Sequence, residues 1–205
     1  MTRRLRRIAV APVLALACLV LGGCQLRRPD VVPTRMIEPH LLEPTSSDGG
    51  AATGTPLRLL ATLSREHIGR RVLRRQPGGE LIEDAVWRWT SNPDRYLDMA
   101  LRLALTTSTE ARLVDSGRAH AVAVTLVEWH LDVEGGSRIV GDIEIDVTTP
   151  DRRVGTTMIR AEEPVSAELP GDLAAASGRL LQRLASEVIT RAARALPERP
   201  TPMAS

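Results

Sequence analysis

Cysteine, histidine and clustered carboxylates are the residues of this sequence whose chemistry could define a function. The chain has Cys18 and Cys24, four histidines, and Asp142, Glu144 and Asp146 at every second position of one segment. A cysteine can be a core thiol, half of a disulfide, a nucleophile or a site of covalent modification. Alternating carboxylates can hold calcium or form an acid–base pair. The elements that carry these side chains decide between the alternatives.

Residue types that are missing from the sequence exclude several classes of enzyme. All 27 basic residues are arginine. P-loop nucleotide binding and Schiff-base chemistry both need a lysine amine, so both are excluded. The sequence also lacks the Gly-x-Ser-x-Gly nucleophile elbow of α/β-hydrolases. Because only carboxylate or serine chemistry remains, a periplasmic enzyme is the least favoured hypothesis and a non-enzymatic protein is expected.

The four histidines have no spacing that predicts a metal site. His120 and His130 are predicted on the same face of one strand, but about 33 Å apart at 3.3 Å per residue. Neither of them, nor His40 or His67, has a second histidine at helix-face spacing. We therefore expect surface histidines or histidines with satisfied hydrogen bonds, and neither a metal nor a cofactor.

Three further motifs have a structural and a functional interpretation. The row Asp142, Glu144 and Asp146 follows the solvent face of a strand, which favours a plain surface over a calcium site. The stretch RRVLRR (70–75) could bind anionic lipid, but an acidic neighbour, ELIED (80–84), favours a solvated strand pair.

Aromatic side chains form the third motif. WRWT places Trp87 and Trp89 on one strand face, and Tyr96 follows at the start of the next helix. Core packing is the first interpretation of these three residues, and a partner or lipid surface is the alternative.

Cys24 stands at the end of an export signal. Arg3, Arg4, Arg6 and Arg7 precede an apolar run over residues 8–20, which is shorter than the roughly 20 residues of a spanning helix. The following Leu21-Gly22-Gly23-Cys24 resembles the bacterial lipobox. That resemblance implies a lipoprotein signal peptide over residues 1–23, cleavage before Cys24, and diacylglycerol and palmitate-type acyl chains on Cys24. An ordinary signal peptide or a short membrane anchor with an incidental cysteine is the alternative.

Processing at Cys24 would change the redox state and charge of the chain. Cys18 would leave with the signal peptide, so the mature chain could form no internal disulfide. Loss of residues 1–23 changes the formal net charge from +2 to −2, which argues against nucleic-acid binding. Gln25, where inner-membrane lipoproteins carry aspartate, resembles the signal for sorting to the outer membrane.

The mature chain divides into a tether, a domain and a tail. Residues 24–56 are predicted to be a flexible tether that contains a short strand within 35–43, and residues 197–205 a disordered tail. Asn92 as N-cap and Pro93 at N1 predict one amphipathic helix, and a second spans about residues 172–196. Strands are predicted over 57–63, 70–76, 80–89, 119–133, 138–148 and 154–161. The domain, residues 57–196, is therefore predicted to be α+β, an antiparallel or mixed sheet with two helices on one face.

The span 57–105 carries a family resemblance that extends over roughly residues 35–196. HIGRRVLRRQPGGELIEDAVWRWTSNPDRYLDMALRLAL is similar to the auxiliary lipoproteins of ABC-type transport systems, the PqiC-like family. The match rests on Ile68-Gly69 before an arginine-rich strand, on WRWT, and on Pro93-x-x-Tyr96 at a helix start. Where relatives carry an aromatic "YxL" strand, this chain has RMIEPHLLE at 35–43.

The resemblance implies a function without catalysis. A protein of this family would be lipid-anchored on the periplasmic face of the outer membrane and serve MCE-type (mammalian cell entry) lipid transport. Its expected partners are the membrane, an MCE-family periplasmic protein, the ABC transporter subunits and other copies of itself. The alternative is a structural ring or assembly lipoprotein of a secretion-type envelope machine.

Overall fold

Nine strands and two helices make up the described part of the chain. The computed structural model describes residues 33–41, 54–116 and 119–195. The elements follow in the order β1 (Arg35–Ile37), β2 (Thr55–Leu59), β3 (Leu63–Ser64), β4 (Arg71–Arg75), β5 (Leu81–Trp89), α1 (Pro93–Thr107), β6 (Ala111–Leu113), β7 (His120–Asp132), β8 (Arg138–Thr148), β9 (Arg153–Pro164) and α2 (Pro170–Ala195).

The strands form one mixed sheet that is built around β7. One edge of β7 pairs antiparallel with β8, and β8 pairs antiparallel with β9. The other edge pairs in parallel with β2, β3 and β4 at successive positions. β5 then extends the sheet from β4 and β1 from β5, while β6 extends it from β2. The described sheet does not close, and the predicted α+β class and the meander of three strands are confirmed.

Both helices lie on one face of the sheet. α1 begins as predicted, with Asn92 in extended conformation (φ −68°, ψ 144°) and Pro93 at N1, although the Asn92 side chain makes no capping hydrogen bond. The predicted apolar stripe of α2 is buried throughout: Leu173, Ala176, Leu180, Leu184, Val188 and Ala192. In the predicted stripe of α1, Ala104 is half-buried and the other members are buried: Leu97, Ala100, Leu101 and Leu105. α2 approaches β8 at Gly141, where a methyl group would meet Leu184 at 3.0 Å and Trp129 at 3.2 Å.

A bulge in β7 reverses which residues face the core. Leu126 pairs with Ile143 and Glu128 with Asp142, so Val127 is an extra residue without a cross-strand partner. Leu126 and Trp129 therefore both face the core, at 0% and 2% exposure. The prediction of His120 and His130 on one face of this strand assumes an unbroken period of two and is therefore wrong here.

Candidate functional site

Cys24, the predicted point of lipid attachment, lies outside the described residues, as does the predicted signal peptide. The described chain begins at Pro33, and ten residues separate Cys24 from Arg35 in the sequence. The structure therefore describes the end of the domain to which the anchor segment leads.

The described segment nearest to Cys24 in the sequence is part of the folded sheet. β1 pairs in parallel with the end of β5, with Arg35 opposite Trp87 and Ile37 opposite Trp89. Ile37 is 2% exposed, and its carbonyl accepts a hydrogen bond from Thr90 N at 2.9 Å. The tether assignment of residues 24–56 is thus wrong for residues 34–41, which belong to the compact unit that starts at Thr34. The expected short strand within 35–43 is β1.

After β1 the chain crosses α2 at a glycine. His40 N donates a hydrogen bond to Ala174 O at 3.0 Å. A Cβ on Gly178 would lie 1.9 Å from His40 O, so only glycine permits this approach of strand and helix backbones. Sequence reasoning missed this contact. Its one signal is a glycine inside the apolar stripe of a helix, which costs about 1 kcal/mol against alanine and so points to close packing.

The three aromatic candidates occupy different environments. Trp89 is 1% exposed and its ring meets the edge of Trp129, with centroids 6.1 Å apart. Tyr96 is 4% exposed, and its hydroxyl accepts a hydrogen bond from Ser91 N at 2.8 Å. Because both side chains are enclosed, they are core residues and present no surface to a partner or a lipid. Trp87 is half-buried against the core.

Trp87 marks the exposed end of this aromatic group. The guanidinium of Arg35 lies over its ring, 5.4 Å from the centroid, within the range of cation–π attraction. Arg35 is itself exposed. Through this contact β1 packs against Trp87, one of the three aromatic candidates from the sequence.

The arginine-rich strand and its acidic neighbour pair as predicted. β4 and β5 form an antiparallel hairpin in which Arg71 contacts Glu83 and Arg74 contacts Asp84. Arg74 also reaches Glu168, just before α2, at 2.6 Å. The predicted pairing of the two strands is confirmed for both arginines; the Arg71–Glu83 pair is solvated, whereas Arg74 and Asp84 are largely buried.

Asp84 shapes β5 between the hairpin and the tryptophans. Its Oδ1 accepts hydrogen bonds from Val86 N and Trp87 N, each at 2.8 Å, at a register shift of the β4–β5 pair. Burial opposes ionisation, but these two donors and Arg74 outweigh it and lower the pKa of Asp84. The ionised carboxylate therefore holds the irregular stretch that positions Trp87.

The carboxylate row lies on the sheet face that the helices leave open. Asp146 accepts a hydrogen bond from Arg153 Nε at 2.7 Å, which lowers the pKa of that carboxyl. Asp142 pairs with Arg160 at 3.2 Å, while burial raises its pKa. Glu144 lies opposite Met158. Each carboxylate thus faces a different side chain on β9, as expected of an ordinary strand face.

His130 departs from the sequence prediction. The bulge in β7 places it on the open face beside Val140, whereas His120 shares the core face with Leu57. His130 is 1% exposed, and neither ring nitrogen has a hydrogen bond to the described residues. Its Nδ1 is 3.7 Å from Glu128 Oε2. The expectation of a surface or satisfied histidine is therefore wrong for His130.

Burial governs the ionisation of His130. The loss of hydration, reinforced by the nearby Arg75 guanidinium, lowers its pKa from 6.5 to about 4. The imidazole is therefore neutral around pH 7. Over the described ranges, no cluster of three or more potential metal-ligating side chains occurs. Among the described helices, neither is long and apolar enough to cross a bilayer.

Comparison with known proteins finds similarity in fold. No protein-family model matches the chain, and no curated protein matches its sequence. The structure is similar to the crystal structure of protein XCC0632 from Xanthomonas campestris, described with the family model DUF330. The TM-score is 0.66 at 15% identity, over 78% of this chain and 96% of that one.

Two further solved structures are similar to the chain. An uncharacterized protein matches with a TM-score of 0.58 at 11% identity, over 79% of this chain and 97% of that one. The hypothetical protein CT253 from Chlamydia trachomatis matches with a TM-score of 0.49 at 11% identity, over 68% and 96%. At these identities, XCC0632 and the uncharacterized protein share their fold with this chain, and function has to be argued from its own residues.

Proposed function

We propose that the chain is a lipoprotein, anchored through acylated Cys24 to the periplasmic face of the outer membrane. Its α+β domain acts there without catalysis, as the docking component of an MCE-type ABC system for intermembrane lipid transport. The cargo-carrying MCE protein would bind the domain, and the ATPase and permease would be reached through that protein.

One structural observation supports the family resemblance on which this proposal rests: its separate motifs meet in space. Trp89 N, from WRWT, donates a hydrogen bond to Arg70 O at 2.6 Å, next to Ile68-Gly69. The Tyr96 hydroxyl of Pro93-x-x-Tyr96 contacts Thr90 of WRWT. The motifs therefore build one corner between β4, β5 and α1, which is the role expected of residues that specify a fold.

Anchoring is tested by mutation of the two cysteines. Cys24→Ala should abolish acylation, detected by mass spectrometry of the N-terminal peptide, and release a folded protein from the membrane fraction. Cys18→Ala is the matched control and should leave acylation and fractionation unchanged, because Cys18 lies in the predicted signal peptide. Unchanged fractionation of the Cys24→Ala protein would contradict the anchor.

The partner is tested by affinity capture from crosslinked membranes. The transport proposal predicts that an MCE-domain protein co-purifies together with its permease and ATPase. Capture of only further copies of this chain, with no transporter subunit, would favour the alternative of a structural ring or assembly lipoprotein.

A further inference from the structure

The end of the domain next to the anchor segment has a charge opposite to that of the mature chain. Without residues 1–23 the formal net charge is −2. Arg27, Arg28 and Arg35, however, lie between Cys24 and the end of β1, against the single acid Asp30. The chain is therefore basic where it approaches the predicted point of lipid attachment.

The strands beside β1 add to this positive charge. Arg88 on β5 lies between Met36 on β1 and Arg71 on β4, so the two arginines are direct cross-strand neighbours. All three side chains point away from the core face, which carries Trp89 and Val72. Like charges directly opposite each other destabilise a strand pair. A negatively charged group bound above them would remove that repulsion.

Of the two neighbouring arginines, Arg71 and Arg88, only Arg71 is paired with an acid in the described ranges, so an anion could pair with the other. Arg71 is ion-paired with Glu83, whereas Arg88 has no ion pair among the described residues. The Nε of Arg88 is also buried without a hydrogen bond to the described chain. Arginine presents a planar set of N–H donors that matches phosphate oxygens. Arg88 is thus a cation whose buried Nε lacks a hydrogen-bond acceptor among the described residues.

Arg35 offers a second set of donors at the same edge. Its guanidinium is held over Trp87, an arrangement that fixes its position and leaves its edge N–H groups available. Met36, the next residue, is 45% exposed. Arg35 and Met36 leave β1 on opposite faces of the sheet, so cationic and apolar groups flank the edge strand on both sides.

The length of the connecting chain sets how far this edge can lie from the membrane. Ten residues between Cys24 and Arg35 span about 40 Å when fully extended. β1 is the described strand nearest to Cys24 in the sequence, so its edge can lie no farther than this from the predicted point of lipid attachment.

We propose that the β1 edge, defined as Arg35, Met36 and Arg88, docks onto anionic phospholipid headgroups of the membrane that holds the anchor. Arg35 and Arg88 bind headgroup phosphates, and Met36 enters the interfacial region. The docked domain presents β9, which lies across β7 from β1, away from the bilayer. This inference depends on the proposed anchor at Cys24.

The test measures binding to vesicles by sedimentation, with the mature chain 24–205 carrying Cys24→Ser so that no acyl chain contributes. Vesicles of phosphatidylcholine alone are compared with vesicles that also contain phosphatidylglycerol. We expect binding only to the second kind, weakened by salt. Arg35→Gln with Arg88→Gln should lower the partition coefficient about 25-fold, since each basic residue near an anionic surface contributes about fivefold.

The matched control removes the same charge from β2, which pairs with the start of β7, and from its neighbour β6, whereas β4 pairs with the end of β7. Arg58→Gln with Arg112→Gln changes exposed arginines on β2 and β6 and should alter partitioning less than about twofold. Arg35→Lys with Arg88→Lys should retain most of the binding, because the charge is kept, and circular dichroism verifies folding of every variant. Equal weakening by the control pair, or equal binding to both kinds of vesicle, would overturn the proposal.

The proposed anchor and the proposed headgroup-binding surface can be refuted separately. Acylation of Cys24 with no phosphatidylglycerol-dependent binding would refute the headgroup surface and leave the anchor intact. Phosphatidylglycerol-dependent binding through the β1 edge without acylation would refute the anchor and retain the surface as a lipid contact.

Discussion

Replacement of His130 by leucine tests whether a buried imidazole makes the stability of the domain depend on pH. His130 is 1% exposed on β7. The charged groups around it are Arg75 on β4, Glu128 and Asp132 on β7, and Arg160 on β9. Leucine fills the site with an apolar side chain that cannot take up a proton. The pH dependence that His130 contributes should therefore disappear in the variant.

The sign and size of the effect follow from the lowered pKa of His130. An unfolded chain protonates the imidazole near pH 6.5, whereas the folded protein does so only near pH 4. Between these values the unfolded state binds a proton that the folded state excludes, so the free energy of unfolding falls as the pH decreases. From pH 7 to pH 5 the loss amounts to about 2 kcal/mol.

Carboxylates with lowered pKa act at more acidic pH. Asp84, Asp132 and Glu168 have ordinary pKa values of 3.8, 3.8 and 4.5. The stability that they contribute is present above those values and is lost as the pH falls through their still lower folded-state values. Asp132 is coupled to His130, whereas Asp84 and Glu168 are not. Since all three carboxylates titrate below pH 5, the difference between the two proteins from pH 7 to pH 5 isolates His130.

The assay is urea unfolding followed by tryptophan fluorescence at about pH 7, 6 and 5. Trp89 and Trp129 are buried, so their emission reports loss of the core. The wild type should lose about 2 kcal/mol over this range and His130→Leu less than about 0.5 kcal/mol. His67→Gln, at an exposed position, is the control and should follow the wild type. Equal slopes for the wild type and His130→Leu would refute the reasoning.

Two further substitutions test the contacts around β1 and β5. Gly178→Ala places a methyl group against His40 O and should lower the free energy of unfolding by about 1–3 kcal/mol. Gly171→Ala, at a position with open space around it, is the control and should raise the free energy of unfolding by about 0.5 kcal/mol. Urea unfolding measures both, and no loss of stability in Gly178→Ala would mean that β1 and α2 cross less closely than the structure shows. Asp84→Ala should lower the free energy of unfolding by about 1–3 kcal/mol, because two backbone N–H groups and Arg74 lose their acceptor. Asp84→Asn should lower it less, because its amide oxygen still accepts from the backbone. Equal losses in the two variants would show that the ion pair with Arg74 dominates.

The elements that sequence analysis located correctly are long and regular. β8 was predicted over 138–148 and spans Arg138–Thr148, and β7 and β9 differ by no more than three residues at either end. In such segments the pattern of burial repeats many times, so local sequence is sufficient. β6 and β3, with three and two residues, are too short to show a period, and β6 was not predicted at all.

The local periodicity of the sequence gave the wrong burial for residues whose environment depends on a distant segment. Sequence analysis treated His120 and His130 as residues on one face, but the extra residue Val127 places them on opposite faces. The position of a bulge depends on the register with β8, which no pattern within β7 reveals. Likewise, Ile37 is a core residue because β5 and α2 enclose it, although its own segment resembles a tether.

The sequence by itself determined the α+β class, the two helix stripes, the hairpin of opposite charges and the lipobox-like motif at Cys24, because each depends on residue types at fixed local spacing. Tertiary contacts were needed to show that Trp89 and Tyr96 are core residues, that His130 is buried, and that Arg35–Ile37 belongs to the sheet. These outcomes depend on which strands become neighbours and how closely backbones approach, as at Gly178. Such contacts join residues far apart in the chain, so they cannot be predicted from local spacing along the sequence.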